Sequence, residues 1–99
     1  MAGYTLSNKA IADLSAIWDY TFEVWSEEQA DKYYYILLEH CQALADDKAF
    51  AKNYPEISKD IFGSRAGQHI IFYQRLRVNK IKIVRILHSR MDLKNKLNG

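Results

Sequence analysis

The chain has 99 residues, room for one domain with a modest core. Its 48% hydrophobic and 13% aromatic content excludes a disordered chain, and no apolar run reaches the length of a membrane span. The net charge of +2 hides an asymmetry: residues 1–50 carry three lysines against nine acids, residues 51–99 eleven basic residues against three acids, so the halves stand at −6 and +8.

Tyr4-Thr5-Leu6 reads as a short strand. Ser7 follows as an N-cap, and Ile11, Leu14, Trp18, Thr21 and Trp25 recur at helical spacing, with Ile17 and Phe22 widening the stripe. Lys9, Asp13, Ala16, Asp19 and Glu23 fall opposite, which predicts an amphipathic helix over 8–24. Ser26-x-x-Gln29 fits a capping box, with Glu27 and Glu28 placed well against the helix dipole. The second stripe runs through Ala30, Tyr33, Tyr34, Leu37, Cys41, Leu44 and Ala45, ending near Asp46 or Asp47. The short link at Val24-Trp25-Ser26 folds the two helices back as a hairpin.

Residues 48–59 have no clear period and read as a loop, pinned by Phe50 and Tyr54, with Pro55 removing a backbone donor. Asp60-Ile61-Phe62 reads as a short strand and Gly63-Ser64-Arg65-Ala66-Gly67 as a turn. Residues 68–76 and 80–87 are strands rich in β-branched and aromatic side chains, joined at Arg77-Val78-Asn79, and a helical turn is expected over 92–97. Alternation sets Ile70, Phe72 and Leu76 on one face, with His69, Ile71, Tyr73 and Arg75 on the other. In the last strand it sets Ile81, Ile83, Arg85 and Leu87 opposite Val84, Ile86 and His88. One face is expected to pack on the helices; the other, mixed apolar and basic, suits a protein partner. The fold class is α+β, a single domain over residues 1–99. A short N-terminal strand and an antiparallel helical hairpin pack on a small, mainly antiparallel sheet, in the order β-α-α-β-β-β.

The single cysteine, Cys41, excludes an intrachain disulfide or a cysteine metal cluster and reads as a small buried hydrophobe. The start, Met1-Ala2-Gly3-Tyr4, lacks signal-peptide character, which points to the cytoplasm. His40, His69 and His88 have no metal-ligand spacing, and His40 is expected on a helix surface. The glycine-flanked 63–67 segment lies between strands rather than before a helix, so it is no phosphate loop. No metal, cofactor, membrane or sequence-specific nucleic acid is expected. The basic half draws an acidic protein segment or nucleic acid, or else attracts the acidic half within the fold.

The order Ile86-Leu87-His88-x-Arg90-Met91-Asp92 resembles the C-terminal signature of ParE-type toxins of bacterial toxin–antitoxin pairs. Tyr4-x-Leu6-Ser7, then Ala10-x-x-Asp13-Leu14-x-x-Ile17-Trp18-x-Tyr20-Thr21, is similar to the opening of that family. Trp25-Ser26-Glu27-Glu28-Gln29-Ala30-x-x-Tyr33 is similar to the start of its second helix. The resemblance implies a type II toxin that binds and poisons DNA gyrase, is neutralised by a ParD-like antitoxin, and uses no catalytic residue. Under it, Arg65, Arg85, His88, Arg90, Met91 and Asp92 are the target-facing residues, with toxicity carried by the segment 85–97.

Trp18, Trp25 and Tyr34 would line a groove for the antitoxin, and Arg75 and Arg77 would attract its acidic stretch. Tyr33-Tyr34-Tyr35 spans about 200° of a helix, more than one stripe can bury. The alternative on the same fold is a ribosome-dependent messenger-RNA endonuclease, with Arg65, Arg85 and Arg90 on phosphate and His88 paired with Tyr73 or His69. The sequence departs from that branch in having no tyrosine after Tyr73, and Asp92 would repel phosphate. A purely structural reading pairs Arg85 or Arg90 with Asp92.

Overall fold

A computed structural model describes residues 2–90. Strand β1 (Gly3–Leu6) leads into helix α1 (Asn8–Val24), helix α2 (Glu27–Ala45), a two-residue strand β2 (Lys52–Asn53), and strands β3 (Phe62–Ala66), β4 (His69–Arg77) and β5 (Lys80–His88). The sheet order is β1-β5-β4-β3-β2, antiparallel throughout except for the parallel pairing of β1 on β5. Both helix starts are capped as the sequence predicts. Ser7 Oγ accepts the Ala10 N–H, and Ser26 Oγ accepts the Gln29 N–H.

The helical hairpin packs on one sheet face. Ala10 and Leu14 of α1, with Leu37, Cys41 and Leu44 of α2, meet Ile71, Tyr73, Ile81, Ile83 and Ile86. Burying a side chain such as Ile83 contributes about 1.5–3 kcal/mol. The other face is less open than the sequence suggests. Residues 54–61 fold across it, so Tyr54, Ile57 and Ile61 cover Ile70, Phe72, Val84 and Leu87 in a second small core. Gly63 belongs to β3, paired with Phe72, and not to a turn; a Cβ there would meet the Tyr54 ring at 2.6 Å. The turn itself is Gly67-Gln68, with Gly67 at φ +60°. Phe50, expected to pin the loop, is 85% exposed.

Strict alternation fails in β5. Phe72 pairs with Arg85 but Tyr73 pairs with Ile83, so Val84 is an extra residue, a β-bulge. Ile83 and Ile86 therefore share the helix side while Leu87 joins the opposite core, where alternation had separated Ile83 from Ile86 and grouped it with Leu87. The start of α1 satisfies the displaced backbone groups. Ser7 Oγ donates to the Val84 carbonyl at 2.7 Å, and Asp13 Oδ2 accepts the Ile86 N–H at 2.9 Å. β1 covers β5 only from Lys80 to Ile83, and α1 takes over the edge from there.

The buried stripe of α1 is consequently rotated from the predicted one. Ala10 and Leu14 are buried, Ile11 and Trp25 are exposed, and Asp13 turns inward.

Candidate functional site

The start of β4 and the end of β5 lie side by side, with His69 directly opposite His88 in the register. The two imidazoles meet edge to face, ring centroids 5.3 Å apart. Tyr33 reaches them from α2, placing its hydroxyl 2.6 Å from His69 Nδ1. That approach needs Gly67: a Cβ at this position would lie 2.7 Å from the phenol oxygen. Beside the cluster runs a groove of about 850 Å³. Ile17, Tyr20 and Trp25 form its α1 wall, and Tyr33, Gln68, His69, His88 and Arg90 border its other side. Tyr20 is 67% and Trp25 73% exposed, so two large aromatic surfaces stand open to solvent.

Hydrogen bonds fix the tautomers. Tyr33 Oη accepts the Gln68 N–H at 3.0 Å and has one proton to give. The Ala66 carbonyl is 3.4 Å away and His69 Nδ1 only 2.6 Å, so the proton goes to His69. Neutral His69 therefore carries its own proton on Nε2. Burial, reinforced by His88 and opposed by Asp13, pushes the His69 pKa down to about 4, which keeps the ring neutral at physiological pH. His88 Nδ1 accepts the Arg90 backbone N–H at 3.1 Å, so a neutral His88 likewise carries its proton on Nε2. Neither Nε2 has a hydrogen-bond partner among the described residues.

The sequence-predicted residues are only partly united. His88 and Arg90, expected to face the target, share the groove with Trp25, expected to face the antitoxin. Arg85 is held by Asp13 through Nε at 2.8 Å and Nη2 at 3.0 Å, and this pairing raises its pKa further. Arg65 lies on β3 near the same sheet end, its Nε donating to the Gly67 carbonyl. Met91 and Asp92, and the helical turn expected over 92–97, lie outside the described residues. Trp18 does not border the groove: it stacks on Phe22 at 5.3 Å and donates its indole N–H to Asp31, tying α1 to α2. Tyr34 packs against the main core. Arg75 and Arg77 lie at the far end of β4, about 20–25 Å along the strand from His69.

Two other expectations need correction. Tyr73 is 2% exposed and stacked on Phe62, so it cannot serve as a counterpart of His88. His40 is half-buried rather than on the surface, with Nε2 2.7 Å from Ser64 Oγ. Ser64 donates to the Phe50 carbonyl, so His40 must donate to Ser64. The pair is a structural tie and not an activated nucleophile, which would need the reverse direction. The sequence missed the part of Tyr33 in this cluster; of the two partners it offered His88, the strand register brings His69 opposite it.

Among the described residues no group of three or more His, Cys, Asp or Glu is arranged to hold a metal, and no helix is long and apolar enough to cross a membrane.

A family model described as the ParE toxin of type II toxin–antitoxin system, parDE, matches residues 4–93. Toxin ParE1 of Mycobacterium tuberculosis (strain H37Rv) is 34% identical over 94 residues, 95% of this chain and 96% of that protein. Toxin ParE1 of Caulobacter vibrioides is 32% identical over 92 residues, 93% of this chain and 94% of that protein. A chain of the chromosomal ParDE TA system from P. aeruginosa shares the fold, with a TM-score of 0.70 at 24% identity over 89% of this chain and 96% of that chain.

Proposed function

As the chain belongs to the ParE toxin family of type II toxin–antitoxin systems, we propose that it arrests growth by binding DNA gyrase and is neutralised by a ParD-like antitoxin. The observation that carries inhibition by binding, rather than by RNA cleavage, is the state of the two imidazoles. A metal-free ribonuclease needs an acceptor for the 2′-hydroxyl proton. In their neutral forms His69 and His88 both use Nδ1 to accept protein hydrogen bonds and keep a proton on Nε2. Neither offers a lone pair to a substrate, and Arg85 is engaged by Asp13. Donors of this kind recognise; they do not abstract. Action on gyrase would place the protein in the cytoplasm.

The antitoxin would occupy the groove beside α1. An amphipathic segment could lay its apolar face against Ile17, Tyr20 and Trp25. Because His88 and Arg90 border the same groove, an antitoxin seated there would also cover part of the surface assigned to the target. Neutralisation would then be competition for one surface. The segment 85–97 carries toxicity in this reading. The experiment is growth arrest by a chain truncated after His88, with folding checked by circular dichroism. Loss of arrest in a folded truncation supports the assignment, and full arrest removes it.

A further inference from the structure

We propose that His69, His88 and Arg90 form a carboxylate-binding subsite at the edge of the groove, and that its occupant is an acidic side chain on the antitoxin's amphipathic segment. The identity of the occupant rests on the function proposed above; the subsite does not.

Both rings are half-buried, and each presents an Nε2–H with no acceptor among the described residues. Among the described residues no buried side-chain donor lacks a partner, so both N–H groups reach solvent and stand available to a ligand that brings oxygen acceptors. The ring centroids are 5.3 Å apart, so a ligand group at one ring lies close to the other. Arg90, exposed at the groove's rim, supplies the charge, and its guanidinium has no partner among the described residues.

The charge count selects the anion. His69 stays neutral, and Arg85 is already neutralised by Asp13. Asp13 lines a small adjoining hollow together with both histidines, so its carboxylate opposes a second negative charge. The groups facing His88 are thus neutral His69 from β4, the Asp13–Arg85 pair between α1 and β5, the Tyr33 phenol from α2, and Arg90 beyond β5. One guanidinium, a neutral His69 and an opposing Asp13 carboxylate suit a monoanion and not a phosphate dianion. The wall of Ile17, Tyr20 and Trp25 requires that the anion arrive on an apolar body. The groove, at about 850 Å³, holds several side chains, as an amphipathic protein segment would supply.

The full chain, labelled with ¹⁵N, would be titrated with 3-phenylpropionate, with its uncharged amide, and with phenyl phosphate, reading the histidine ring nitrogens by NMR. The subsite predicts that the carboxylate shifts both Nε2 signals and binds on the order of tenfold tighter than the amide, as a charge-assisted hydrogen bond should. R90Q, at an exposed position, should erase that preference, and H88F should do the same where it folds. Equal binding of carboxylate and amide would overturn the subsite. Tighter binding of phenyl phosphate would overturn its specificity for a carboxylate. If the carboxylate preference holds but R90Q leaves antitoxin affinity unchanged, the assignment of the occupant falls and the subsite stands.

Discussion

Asp13, in the second turn of α1, grips Arg85 near the end of β5 through two hydrogen bonds of 2.8 and 3.0 Å, 72 residues apart in sequence. The same carboxylate accepts the Ile86 N–H, so one side chain secures both the arginine and the backbone beside the bulge. The side chains are only 13% and 18% exposed, so removing Asp13 takes both of these bonds from a largely covered guanidinium. D13A should lower stability by about 2–4 kcal/mol. D13N, which keeps an oxygen acceptor, should cost less. Urea unfolding of the two variants checks the order; equal losses would mean that the backbone contact contributes nothing.

The Ser64–His40 tie predicts a second stability effect. Removing the hydroxyl in S64A leaves the Phe50 carbonyl and the His40 N–H without their partner. A loss of about 0.5–1.5 kcal/mol is expected, the net contribution of a typical hydrogen bond, since both bonds are only part-buried. A folded S64A as stable as the parent would show that water replaces the hydroxyl without cost.

Burial pushes the Cys41 thiol up to about 12, and the residue is fully covered. Iodoacetamide at pH 8 should leave the native protein unmodified and label it only on unfolding. Rapid labelling of the native state would mean that α2 opens locally.

His69 gives the pH dependence its sign. Its folded pKa of about 4 lies below the value of about 6.5 for an exposed imidazole, so between those values the unfolded chain binds more protons. Its contribution is present above pH 6.5 and is lost as pH falls toward 4. Burial lowers the His40 pKa too, so that residue adds in the same direction. Thermal melting should fall over this window in the parent and less steeply in H69Q. Parallel curves would remove His69 as a source.

Both helices and the long hairpin were legible in the sequence, because caps and periodicity act locally. Ser7 and Ser26 mark the helix starts, and Asn79 adopts φ 61° in the hairpin turn. The face assignments in β5 were not legible. A bulge at Val84 depends on Ser7 and Asp13 arriving from 77 and 73 residues away. The same limit hid the geometry of the site, though not the pairing of His88 with His69 as one alternative. His69 and His88 meet through strand register, and Tyr33 joins them only because Gly67 leaves space for its ring. Arg75 and Arg77, grouped with Trp25 by charge and aromatic content, sit at the opposite end of the sheet. They can act on an antitoxin seated in the groove only through long-range attraction or through a segment that runs the length of the strand.

The central claim is inhibition of gyrase by binding, and ATP-driven supercoiling of relaxed plasmid by purified bacterial gyrase tests it most directly. Increasing amounts of this chain should inhibit supercoiling or trap linear DNA, with reversal when the cognate antitoxin is added. Unchanged supercoiling by a preparation that still arrests growth would contradict the claim and turn attention to cleavage of messenger RNA on ribosomes.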